Sequence, residues 1–193
     1  METTRARSLH LSPKTVREVF QPARLEIYES LQVHGPSSIA DLARRLGRPA
    51  DALYYHVRKL LSVGVIEERP QEAGSGSGRP GKVYAATSEG LDAQLDNASK
   101  RSQEAWSDGA RAVLRVVQRD VDRAVAAPGT CTDGKRRDLA LRRIKVRLNA
   151  AQLAEVNARL EELSELLYGY SNNTRGELLA LTFALTPLEE PRR

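Results

Sequence analysis

The chain of 193 residues holds one cysteine, one methionine and one tryptophan. A lone thiol, Cys131, excludes an internal disulfide and fits a reducing compartment. Aromatic residues are scarce at 5%, which favours an aliphatic, helix-rich core over an aromatic-rich sandwich. Long apolar runs are missing, and the stretch from Leu60 to Ile66 falls far short of the ~20 residues a membrane span needs. Met1 to His10 carries arginines but no apolar core of a secretory signal. His10, His34, His56 and Cys131 stand too far apart to share a metal at the usual ligand spacing. No phosphate-binding loop, dinucleotide fingerprint, GxSxG elbow or HExxH occurs. These absences predict a cytoplasmic protein with no cofactor, no metal, no membrane partner and no enzymatic activity.

The composition is otherwise that of a globular chain, with 40% apolar and 28% charged residues. Thirty basic residues against 25 acidic leave a net charge of +5, a mild pointer to a polyanionic partner. The spacing of the charges says more than their sum.

Residues 1–12 are polar, lack an apolar period and read as a mobile arm. A helical period begins at Pro13, and Leu25, Ile27, Tyr28 and Leu31 form an apolar stripe that Gly35 is placed to end. Ser37 and Ser38 offer N-caps to a short helix with Ile39, Leu42, Ala43 and Leu46 on one face. After Gly47, a third helix carries Leu53, Val57, Leu60 and Leu61 and stops at Gly64. The β-branched stretch Val65–Arg69, the loop Pro70 to Gly81 and the returning stretch Lys82–Thr87 read as a hairpin with a long basic tip. Three helices followed by such a hairpin outline a winged helix-turn-helix over residues 13–87, with Ala43 at the helix crossing and Gly47 free to take positive φ in the turn.

On these residues the chain resembles the ArsR-type winged-helix regulators. The matching pieces are Pro22 and Arg24 opening the first helix, IADLARRLG as the second, ALYYHVRKL as the recognition helix and GRPGKVYAAT as the wing, with Tyr84 and Thr87. The resemblance covers roughly residues 15–90 and implies a dimeric DNA-binding transcription factor. Metal-sensing members carry a cysteine-containing box in the second helix. Here that segment is Ser38-Ile39-Ala40-Asp41-Leu42, which argues against a thiolate sensor.

At about 100° per residue, the side of the third helix opposite its apolar stripe presents Asp51, Ala52, Tyr55, Arg58, Lys59 and Ser62, flanked by Tyr54 and His56. A helix in the major groove reads base edges mostly from its N-terminal turns. Tyr54, Tyr55 and Arg58 are therefore expected near bases and Lys59 on phosphate, with packing against the second helix as the alternative for Tyr54. Asp51 is read as favouring the helix N-terminus over contacting a cytosine amino group. His56 is expected to pack or bond between helices. Arg44, Arg45 and Arg48 crowd the turn, where phosphate contacts would strengthen binding by counterion release. Arg79 and Lys82 flank the wing tip, where Gly-Arg-Pro partly resembles an AT-hook and places Arg79 in the minor groove.

The remainder reads as a long helix over 88–127, with a break near 107–109 as an alternative, and a C-terminal module over 128–193. The seam Leu91, Leu95, Ala98, Ser102, Ala105, Gly109, Val113, Val117, Val121 and Ala124 is heptad-like and points to a dimer helix. The C-terminal module reads β-α-β. Its first strand interleaves Leu141, Ile144, Val146 and Leu148 with Arg142, Arg143, Lys145 and Arg147. Its helix is capped by Asn149 and Gln152 and striped by Leu153, Val156, Leu160, Leu163 and Leu167, and its second strand spans Glu177 to Thr186. The expected fold class is α+β, mostly α with small β. The expected function is a sequence-specific transcriptional repressor that binds double-stranded DNA as a homodimer on a near-palindromic operator, with room for an effector in the C-terminal module. A protein-docking winged helix and an architectural DNA binder of little sequence preference are the alternatives.

Overall fold

The computed structural model describes residues 6–70, 82–93, 95–171 and 173–189. In chain order the elements are β1 (Ala6–Leu11), α1 (Pro13–Val19), α2 (Pro22–His34), α3 (Ile39–Leu46), α4 (Ala50–Ser62), β2 (Ile66–Pro70), β3 (Lys82–Ala86), β4 (Ser88–Ala93), α5 (Lys100–Ala126) and α6 (Ala150–Tyr168). Helix dominates and the strands are short, an α+β architecture.

Helices α2, α3 and α4 surround one aliphatic core. Ile27, Tyr28 and Leu31 of α2 meet Leu42 of α3 and Leu53, Val57 and Leu60 of α4, each at most 2% exposed. The helical stretch starting at Pro13 is divided, because Pro22 holds Gln21 extended at φ −114°, ψ 136° and opens a new helix. Ser38 caps α3 by accepting from the Asp41 amide, and Asp41 accepts from the Ser38 amide in return. Gly47 ends α3 in the left-handed region at φ 61°, which lets α4 leave at a sharp angle.

The hairpin β2–β3 is antiparallel, from Ile66 opposite Ala86 to Pro70 opposite Lys82. A third short segment joins it through reciprocal main-chain bonds between Ser37 and Tyr84, both 2.9 Å. Thr87 ties the returning strand to the end of α4, its hydroxyl donating to the Gly64 carbonyl at 2.9 Å.

Two expectations are corrected here. The arm expected to be mobile over 1–12 is a strand from Ala6 to Leu11, paired in parallel with β4, with Leu9 opposite Leu91 and Leu11 opposite Ala93. The long helix expected from Ser88 begins instead at Lys100, because Ser88–Ala93 is that partner strand. Ser88 is fully buried and bonds the Tyr28 hydroxyl at 2.8 Å, while Ser99 is the residue that caps α5. From there α5 runs through residues 107–109 without a break.

The seam of α5 faces its own chain. Ser102, Ala105, Gly109, Ala112 and Val116 are buried, and the expected Val113 and Val117 are only half-buried. Gly109 sits on α1, where an added Cβ would lie 3.3 Å from both Phe20 Cβ and Val16 Cγ1. A methyl group here would press on α1, which must give by a few tenths of an ångström. Replacing an exposed mid-helix glycine by alanine ordinarily adds about 1 kcal/mol. Gly109→Ala is expected to forfeit that gain, leaving thermal unfolding unchanged or shifted down by less than about 1 kcal/mol; a clear rise in melting temperature would show that α1 and α5 are not so close.

The C-terminal region departs most from expectation. Helix α6 forms as read, with the reciprocal Asn149–Gln152 cap. The two flanking strands do not form within one chain. Residues 140–148 and 177–186 run without turn or bend, yet belong to no ladder among the described residues. Their apolar side chains are open to solvent, Ile144 at 79% and Phe183 at 51%, and α6 buries no residue. Two strands need a third partner or a packed face to persist, and a single chain supplies neither.

Candidate nucleic-acid interface

Helix α4 turns Leu53, Val57 and Leu60 into the core, and the same 3.6-residue geometry puts Asp51, Ala52, Tyr54, Tyr55, Arg58 and Ser62 outside. Tyr54 and Tyr55 are 47% and 57% exposed, so Tyr54 is not packed away against α3. Large exposed aromatics on one helix face are costly to leave bare and are suited to stacking or apolar contact with a partner. Asp51 lies in the first turn of α4, where a carboxylate complements the helix dipole.

The two tyrosines differ in their support. The Tyr55 ring lies between cations, with Arg24 5.8 Å and Lys59 5.9 Å from its centroid, and meets His56 edge-on at 5.4 Å. Arg24 is itself fixed, buried at 8% exposure with its guanidinium 2.6 Å from Glu18. Tyr55 is thus held in place before any ligand arrives. Tyr54 and Arg58 lie on the side of α4 toward the hairpin, where their charges are felt by the Tyr84 hydroxyl, which burial and Glu68 push upward.

The expected cations are not equally available. Arg44 pairs with Asp41 at 3.1 Å, Arg48 with Glu26 at 2.8 Å, Lys59 with Glu18 at 3.7 Å and Lys82 with Glu68 at 2.9 Å. Arg45 donates to the Ser37 hydroxyl at 2.7 Å, leaning toward the base of the wing. Arg58 alone of the expected α3–α4 cations has no hydrogen bond or ion pair among the described residues. Arg44–Asp41 and Lys82–Glu68 are solvent-exposed on both sides and worth under about 1 kcal/mol, so a phosphate can replace the carboxylate there. Arg48 and Lys59, by contrast, are held by the more buried Glu26 and Glu18. Arg79 lies outside the described residues, as does the rest of 71–81.

Sequence reasoning missed the acids that hold this surface together. Glu26, 9% exposed on α2, accepts from Arg48 next to the turn and from Arg119 of α5. Glu18 of α1 reaches both Arg24 and Lys59. Local sequence carries little signal for this, since the helical neighbours of Glu26 include Ala23, Glu29 and Ser30 and do not mark its face as buried.

His56 is half-buried with its Nδ1 enclosed and unpartnered. Burial first, then the Arg24 and Arg48 charges, holds its imidazole below the ordinary histidine value. Because the folded state disfavours the proton, the stability this contributes is complete above the unfolded value near 6.5 and is lost as pH falls through that value toward the folded one. Between about pH 7.5 and 5.5 the Glu29 carboxyl, which burial and then Asp120 push up to about 7, takes its proton in the fold and acts in the opposite sense. The His56 contribution is therefore read as a difference: acidification is expected to cost His56→Gln less melting temperature than it costs the parent protein. An unchanged slope in that variant would assign the effect elsewhere, for instance to His34, whose imidazole burial also lowers.

Among the described residues no group of three or more His, Cys, Asp or Glu could hold a metal, and no helix is long and apolar enough to cross a membrane. Residues 20–69 match a family model described as a helix-turn-helix domain. A crystal structure of RV1404 from Mycobacterium tuberculosis is similar at 17% identity and a TM-score of 0.32, over 79% of this chain and 77% of that one. No curated protein sequence matches the chain. The match spans α2 through β2, so the exposed face of α4 belongs to a helix-turn-helix domain, the part of the chain that points to DNA-binding regulation.

Proposed function

We propose that this protein is an ArsR-like transcriptional repressor that binds a near-palindromic operator as a homodimer. The observation that carries the reading is the outer face of α4: a Tyr55 flanked by Arg24 and Lys59, an exposed Tyr54 and an Arg58 with no hydrogen bond or ion pair among the described residues. An arginine free to swing and planar in its donors suits a guanine edge, the commonest specific contact in the major groove. Arg44, Arg45 and Arg48 stand at the turn and Lys82 at the base of the wing, where phosphates would flank a helix lying in the groove. Two copies would present two such helices about one turn apart, roughly 34 Å. Repression follows from occlusion of the promoter, and an effector acting on the C-terminal region would alter the separation of the two helices.

Selection from a randomised duplex pool at near-physiological salt tests the reading. An enriched inverted repeat is the expected result. Retention without enrichment would instead identify an architectural binder held by phosphate contacts. Absence of retention by the folded protein would point to a helix-turn-helix that docks to protein.

A further inference from the structure

Many apolar side chains of the C-terminal region stand in solvent. Helix α6 fully buries none of its residues, and the straight segments beside it leave Leu141, Ile144, Leu179, Leu181 and Phe183 more than half exposed. Among the described residues, no main-chain hydrogen bond joins 140–148 or 177–186 to any other part of the chain.

The pattern of these segments shows what completes them. In an extended chain alternate residues share a face. Residues 144, 146 and 148 make one apolar face, and residues 179, 181, 183 and 185 make another. The opposite face of the first segment carries Arg143, Lys145 and Arg147, whereas that of the second is uncharged, with Ala180, Thr182 and Ala184. Each segment, at about 3.3 Å per residue, matches the length of α6, about 28 Å at 1.5 Å per residue. On α6 itself Leu153, Leu163 and Leu167 of the apolar stripe are likewise exposed.

We propose that residues 140–148 of one copy pair with residues 177–186 of a second copy, so that two chains build one four-stranded sheet over their two α6 helices. This rests on the homodimer reading above and adds to it the exchange of strands. Charge sets the order. Two copies of the basic segment side by side would oppose like charges, so those segments take the edges and the neutral, leucine-rich segments the centre. Edges rich in lysine and arginine resist further pairing, which closes the assembly at two copies.

Cross-linking in the full-length chain tests this, with Cys131→Ser as background. Lys145 and Thr182 lie mid-segment on the face away from α6, so a cysteine at either spares the packed side. Lys145→Cys and Thr182→Cys proteins are mixed, unfolded and refolded together, then treated with a short bismaleimide. A peptide linking positions 145 and 182 in that mixture requires two chains and is the expected result. In the double variant, that same link is expected in a dimer-sized product. A 145–182 link confined to monomer-sized product, with none in the mixture, overturns strand exchange. If the protein is still dimeric by light scattering, the homodimer reading survives that outcome. A monomer at micromolar concentration overturns both. A dimer without any 145–182 link shows that another surface joins the copies and also overturns the exchange.

Discussion

Arg58→Ala is expected to weaken operator binding by about 1–3 kcal/mol per bound helix, and so by about 2–6 kcal/mol for a dimer, or roughly 30-fold to 10⁴-fold. Arg58 differs from the other cations of this face in what it lacks. Its neighbours Arg44, Arg48 and Lys59 each have a carboxylate within 4 Å, and Arg58 has none among the described residues. A side chain with no intramolecular bond to break gives its whole interaction to the ligand. It is also exposed and far from the core, so the substitution leaves folding intact. The measurement is a titration of selected operator against scrambled duplex, with melting temperature as the control. Affinity for the scrambled duplex should fall only by the loss of one phosphate-scale contact per helix, and discrimination between bases at one position of each half-site should relax. Equal losses on both duplexes would make Arg58 a phosphate contact and return base reading to Tyr54 and Tyr55.

That the α4 face was legible from sequence follows from its being a local property. Leu53, Val57 and Leu60 set the buried side by spacing alone, and exposure of Tyr54, Tyr55 and Arg58 follows from the helical angle. The same holds for the Ser38–Asp41 and Asn149–Gln152 caps, each written in four consecutive residues. What failed to be legible depends on distant partners. Leu91 and Leu95 fall at helical spacing, yet Leu91 lies in a strand because β1, about eighty residues earlier, supplies its ladder. Gly109 falls in the seam that spacing assigns to a dimer helix and is instead a contact point for Phe20 within the chain. The ion pairs of Arg48 and Lys59 cross between helices that no local window joins. In the C-terminal region the alternation at 144–148 and 179–185 is plain in the sequence, but alternation names a face and not the strand beside it.

Glu26→Gln should act on stability and on DNA binding in opposite directions. The carboxylate is almost fully buried and is shared by Arg48 from the turn after α3 and Arg119 from α5. Removing one member of a fully buried pair costs about 3–5 kcal/mol. Both guanidiniums here are about one-third exposed and can recover water, so a smaller loss, about 2 kcal/mol, is expected in the free protein. The amide keeps the shape of the site but cannot neutralise either arginine. Arg48 is then released beside the surface expected to cross the phosphate backbone. One more neutralised phosphate per copy should steepen the slope of log affinity against log salt by about 0.9 per copy, near 1.8 for a dimer. Chemical denaturation and a salt titration of operator binding read the two effects separately. The same carboxylate joins α5, through Arg119, to the turn after α3, through Arg48. If stability falls while the salt slope stays fixed, Arg48 points away from the phosphates, and Glu26 serves only to fasten α5 to α2.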